Sequence, residues 1–130
     1  MPKKRPMLVA VDFDGTIVKH AFPEIGEPLP DAFRVLKRIN RAGHHIILWT
    51  CREDDSGKER KHYLEKAVEF LKENGVGLRS VNENLQEDDF REPPAKSRKV
   101  FANVYIDDRN FGGFPGWKEV EKWMEKEGWL

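Results

Sequence analysis

Cysteine occurs once, at Cys51, so no internal disulfide can form, and a reducing, cytoplasmic compartment fits the chain. Net charge is absent: 23 basic side chains balance 23 acidic ones, which gives no support to a generic nucleic-acid or membrane surface. No apolar run approaches a membrane span. The basic leader, residues 1–6, is not followed by a signal-peptide core and reads as a solvated extension. Histidine spacing for zinc, a dinucleotide glycine fingerprint and a P-loop signature are all missing. There is no internal repeat and no linker, so residues 7–130 read as a single domain around one core.

What is there is organised around Asp12-Phe13-Asp14-Gly15-Thr16. The preceding apolar run, Met7 to Val11, reads as a buried strand. Two carboxylates thus leave a strand end two residues apart, and the glycine lets the backbone turn at once. Like charges so close are unfavourable without a cation, and hard oxygen ligands suit Mg2+.

The rest of the chain alternates. A helix is expected from Pro30 or Asp31 to Gly43, with Ala32, Val35, Leu36 and Ile39 at helical spacing. A second strand covers His45 to Trp49, and a second helix carries Leu64, Ala67, Val68 and Leu71. Leu78 to Val81 reads as a short third strand and Val104 to Ile106 as a fourth. Trp117, Val120, Trp123 and Met124 give a last helix whose aromatic stripe packs into the core. Strand and helix in alternation predict an α/β fold with a mainly parallel sheet and helices on both faces. In such sheets ligands bind beyond the carboxyl ends of the strands. Asp12 with Asp14, Thr50, and Asp107 with Asp108 all stand at strand ends, so they converge on one edge.

These residue types form a site for phosphoryl chemistry. A carboxylate can attack phosphorus and form an aspartyl-phosphate, and Asp12 has the position for it. Asp14 is placed to protonate the leaving alkoxide and then take a proton from the hydrolytic water. A magnesium ion would bridge Asp12 and a carboxylate after the later strand. Phosphate donors are expected from the backbone of the Asp12–Gly15 turn, Phe13 included, and from the Thr50 hydroxyl. A lysine is needed as well, and spacing alone leaves both Lys96 and Lys99 open. Arg52 is read first as a surface salt bridge, with a contact to the leaving group as its alternative. His20 is read as lining the mouth, and Cys51 as a small packing residue.

With these residues placed, the chain resembles the phosphatase branch of the haloacid dehalogenase (HAD) superfamily. Asp12-Phe13-Asp14-Gly15-Thr16 is similar to its first motif, Leu48-Trp49-Thr50 to its second, and Val104-Tyr105-Ile106-Asp107-Asp108 to its fourth. In small members of this kind the third-motif lysine lies eight positions before the acidic pair, which selects Lys99 and leaves Lys96 as the fallback. The resemblance implies a Rossmann-like three-layer sandwich with strand order 3-2-1-4. It implies Asp12 as nucleophile, Asp14 as general acid/base, and Thr50 and Lys99 as phosphate ligands. It assigns Mg2+ to Asp12, Asp107, Asp108 and the Asp14 backbone carbonyl. Neither gap between motifs has room for a folded cap, so the resemblance is to a capless member with an open site.

The expected activity is magnesium-dependent hydrolysis of a phosphomonoester, on a small molecule or an exposed group of a macromolecule, with no membrane partner. A homo-oligomer, whose second subunit would cover the site, stays open. A phospho-acceptor or phosphate-binding module without turnover is the alternative from another class. Receiver modules carry their acidic pair after the first strand, whereas here the pair follows a late one. A phosphatase for nucleic-acid ends also stays open, without support from the charge.

Overall fold

The computed structural model describes residues 6–54, 62–85 and 97–130. The elements run β1 (Leu8–Val11), α1 (Ala32–Arg41), β2 (His45–Leu48), α2 (Tyr63–Glu73), β3 (Ser80–Val81), β4 (Val104–Ile106) and α3 (Trp117–Lys126). They form the expected α/β domain. The four strands make one sheet in the order β3-β2-β1-β4, and every pairing is parallel. All four strand ends therefore open on the same edge.

The unbroken apolar sequences of β1 and β2 follow from burial on both faces. Val9, Val11, Ile46, Leu48 and Ile106 face a core built with α1, α2 and α3. Leu8, Ala10 and Ile47, of opposite pleat, face Leu85, Val100 and Ala102. Helices were expected on both faces. All three described helices contribute to one core, and on the second face the described residues Leu85, Val100 and Ala102 pack against the strands. None of the described helices is long and apolar enough to cross a membrane.

Two details differ from the periodicity reading. Asp31 stands just before α1 in a left-handed conformation, φ 64°, so the first turn has no acidic residue and the Asp31 carboxylate pairs with Arg34 instead. Trp117, Val120 and Met124 of α3 are buried, but Trp123 is 41% exposed, on the outer side of the helix against Trp129.

The pairing of α1 with α3 is electrostatic at its rim. Glu121 accepts from Arg34 Nη1 at 2.7 Å and Nη2 at 3.0 Å, and from Arg38 Nη1 at 2.9 Å. The bonds from Arg34 and Arg38 hold the Glu121 carboxyl down at about 2. A depressed carboxyl stabilises above its unfolded value of 4.5 and loses that contribution as pH falls towards 2. Glu121→Gln is therefore expected to lower the melting temperature by roughly 4 °C at pH 7. The difference from wild type should close as the melts are repeated towards pH 2.

Candidate active site

The first motif folds tightly on the end of β1. The Phe13 carbonyl accepts the N–H groups of Thr16, Ile17 and Val18, which reverses the chain immediately after Asp12. Gly15 has φ +87°, and a Cβ on it would collide with the Asp108 carboxylate and the His20 ring. Glycine is required there by its conformation and by the close approach of both side chains.

The ends of β1 and β4 are stitched by a residue to which the sequence reading gave no role. Thr16 is fully buried, donates from Oγ1 to Asp12 Oδ2 at 3.2 Å, and accepts the Asp108 N–H at 2.9 Å. Its carbonyl takes the buried Trp117 Nε1–H at 2.8 Å, which ties α3 to the same turn. Carboxylate oxygens of Asp12, Asp107 and Asp108 then lie within 4.8 Å of one another.

That crowding shifts the carboxyls in opposite directions. Burial, with Asp107 beside it, pushes the Asp12 carboxyl up to about 7. Burial also works upward on Asp108, but hydrogen bonds from His20 and Asp12 hold it below the usual carboxylate range. His20 Nε2 lies 2.8 Å from Asp108 Oδ2. A raised carboxyl flanked by two others is a donor set short of a cation, and three hard oxygens suit Mg2+ better than a soft metal. The residues present therefore fit a divalent ion. The Asp14 carboxylate is not among the three.

Asp14 has a different partner. Arg52 Nε donates to Asp14 Oδ2 at 2.7 Å and Nη2 to Oδ1 at 2.8 Å, a bidentate fork. The remaining donors go to main-chain carbonyls: Nη2 to Glu24 at 2.9 Å, Nη1 to Tyr63 at 3.2 Å and to Pro23 at 3.5 Å. Every one of the five guanidinium N–H groups is thus used within the protein. The Arg52 Cζ atom also sits 5.1 Å from the ring centroids of both Phe13 and Phe22. Arg52 is 2% exposed. Neither reading taken from the sequence describes it. It is a buried clamp that joins the end of β2, the first motif, the 23–24 segment and the start of α2.

Thr50 follows β2 and stands beside the first motif on the shared edge. Its Oγ1 accepts the Arg52 N–H at 3.1 Å, and its own N–H donates to Asn82 Oδ1 at 2.8 Å. Asn82, at φ 54°, also donates from its side chain to the Arg52 carbonyl at 3.3 Å. Sequence reasoning missed Asn82; an asparagine directly after a short strand, a residue type that tolerates a left-handed turn, was the only signal. Phe13 contributes a backbone hydrogen bond to Asp12, while its ring is buried edge-on against Phe70. Lys99 is exposed, with Nζ 5.2 Å from the Tyr105 ring centroid. Lys96 lies outside the described residues. Cys51, expected to pack, is exposed because the chain turns outward between Thr50 and Arg52.

No protein-family model and no curated protein matches the chain. A solved structure does: a conserved protein of Bacteroides thetaiotaomicron, 39% identical, matched over 95% of this chain and 93% of that one with a TM-score of 0.77. At that identity and coverage, the chain belongs to the family of this conserved Bacteroides protein.

Proposed function

We propose that this protein is a magnesium-dependent phosphomonoester hydrolase of the HAD type, working through an aspartyl-phosphate. The observation that carries this reading is the gathering of Asp12, Asp107 and Asp108, from two adjacent strand ends, into one cluster within 4.8 Å. Asp14, Thr50 and the first-motif backbone stand on the same edge. Asp12, Asp107 and Asp108 would hold Mg2+, which supplies charge neutralisation so that an anionic nucleophile can meet an anionic ester.

The chain's own residues account for the remaining work. An Asp12 oxygen attacks phosphorus as the bond to the leaving oxygen breaks. Asp14 acts as the acid/base partner once substrate entry opens its fork to Arg52 and it takes up a proton from solvent: it gives that proton to the leaving oxygen and takes one back from the water that cleaves the acyl phosphate. The products are the free alcohol and inorganic phosphate. The Thr50 hydroxyl, the Phe13 N–H and Lys99 bind the phosphoryl oxygens. Thr16 holds Asp12 by a hydrogen bond, and Arg52 holds Asp14 apart from the three-carboxylate cluster until substrate enters.

A screen of sugar phosphates, nucleotides, phosphopeptides and phosphorylated oligonucleotides tests the reading. Turnover is expected to vanish with a chelator and return with Mg2+. Multiple turnovers per protein exclude the phospho-acceptor alternative, whereas a single stable phosphorylation would replace the phosphatase reading with it.

Metal binding must displace the proton that Asp12 retains up to about pH 7. Stabilisation of the protein by Mg2+ is therefore expected to grow as pH rises from 5 to about 8, with proton release, measured by thermal melts and by calorimetry in buffers of different ionisation enthalpy. A pH-independent Mg2+ effect would remove Asp12 from the ligand set.

A further inference from the structure

The loop after the first motif returns to the site twice. Its base is closed: Val18 bridges to Pro28, and the Lys19 N–H donates to the Glu27 carbonyl at 2.8 Å. Inside this closed base, His20 reaches Asp108 at 2.8 Å. A few residues later the carbonyls of Pro23 and Glu24 accept from Arg52, whose fork holds Asp14. Both ends of the segment 20–24 are thus tied, through one side chain each, to a carboxylate flanking Asp12.

Phe22 lies between those two ties. Its ring is held on the protein side, 5.0 Å from the Tyr63 ring and 5.1 Å from Arg52 Cζ. It is nevertheless 55% exposed. Five residues anchored at both ends cannot stray far, since an extended chain spans at most about 3.4 Å per residue. The protein therefore presents a fixed, flat apolar surface at the rim of the site, one guanidinium away from Asp14. Phe111 and Trp123, the other large exposed hydrophobic residues among those described, lie on β4-side segments without such ties.

We infer that Phe22 is the contact for the leaving group, and that the substrate is a phosphomonoester whose alcohol carries a planar aromatic ring, as in a nucleotide or an aryl phosphate. This inference rests on the phosphatase reading. An aliphatic alcohol gains little from a phenyl face, whereas a flat ring excludes water from the whole face and adds stacking attraction. With no folded cap among the described residues, this rim supplies the selectivity that a cap would otherwise provide.

The test compares phenyl phosphate, adenosine 5′-monophosphate and glycerol phosphate in wild type, Phe22→Leu and Phe22→Trp. Leucine keeps apolar bulk over Arg52 and loses the flat face, so folding is preserved while stacking is removed. The ratio of kcat/KM for the aromatic esters to that for glycerol phosphate should fall about tenfold in Phe22→Leu, through KM, and recover in Phe22→Trp. A preference for one aromatic ester over the other identifies its source. An equal fall on every substrate, or no fall, overturns the inference.

Binding separates the two readings. In Asp12→Asn with Mg2+, phenylphosphonate should bind about tenfold more tightly than methylphosphonate, and Phe22→Leu should erase the difference. That preference, together with a wild-type protein that hydrolyses no ester in the screen, upholds the contact and overturns the phosphatase reading. Equal affinities overturn the contact whatever the turnover.

Discussion

Asp12→Asn is expected to abolish phosphatase turnover, by at least roughly a thousandfold, because an amide cannot form the acyl phosphate through which both half-reactions pass. The same substitution should not cost stability. In the folded protein without metal, burial and Asp107 raise the Asp12 carboxyl from 3.8 to about 7. A raised carboxyl favours the folded state below its unfolded value and loses that contribution as pH climbs through the folded one. At pH 8, without metal, wild type carries an ionised Asp12 next to Asp107, and the asparagine variant does not. The variant should therefore melt no lower than wild type at pH 8. Towards pH 4, where wild-type Asp12 is protonated in the folded protein, any advantage should disappear. Mg2+ should stabilise wild type more than the variant. Activity surviving in a rigorously purified Asp12→Asn sample would end the nucleophile assignment.

Arg52→Ala is expected to have the largest effect on stability, a loss of about 3–5 kcal/mol in urea or thermal unfolding. Removing the guanidinium leaves the Asp14 carboxylate without its fork and strips partners from the carbonyls of Pro23, Glu24 and Tyr63. It also opens the space between the Phe13 and Phe22 rings. Arg52→Lys should recover only part of the loss, since an ammonium keeps the charge but cannot make two parallel bonds and reach three carbonyls. A variant with alanine that unfolds at the wild-type midpoint would show that these bonds do not hold the site together.

These two side chains mark where sequence reading succeeds and where it stops. Asp12 was legible because its signal is local: an apolar run, then a carboxylate, then a glycine that turns the chain. The parallel sheet was legible for a related reason, since alternation of short apolar runs with helical periodicity leaves few topologies, and parallel strands bring all their ends to one edge. Thr50 and the Asp107–Asp108 pair could be assigned to that edge without coordinates.

Arg52 was not legible. An arginine after a strand end has many partners within reach, and nothing local tells a surface ion pair from a buried clamp. Its environment comes from Asp14, Pro23, Glu24 and Tyr63, separated from it by 38, 29, 28 and 11 positions. Asn82 and Thr16 were missed for the same reason, since each takes its role from a partner on another element. The packing of all three described helices into one core was not read, because apolar periodicity marks a buried stripe on each helix without saying which side of the sheet it packs against.

The sequence by itself determined the strands and helices, the strand-end placement of the acidic residues, and the presence of two aspartates two positions apart after the first strand. Those properties depend on residue spacing along a few turns of chain. Only the tertiary structure decided that Asp12 joins Asp107 and Asp108 while Asp14 turns to Arg52. Carboxylates two positions apart are equivalent until the rest of the fold surrounds them. Here one is desolvated among like charges and calls for a cation, and the other is met by a cation already built into the core.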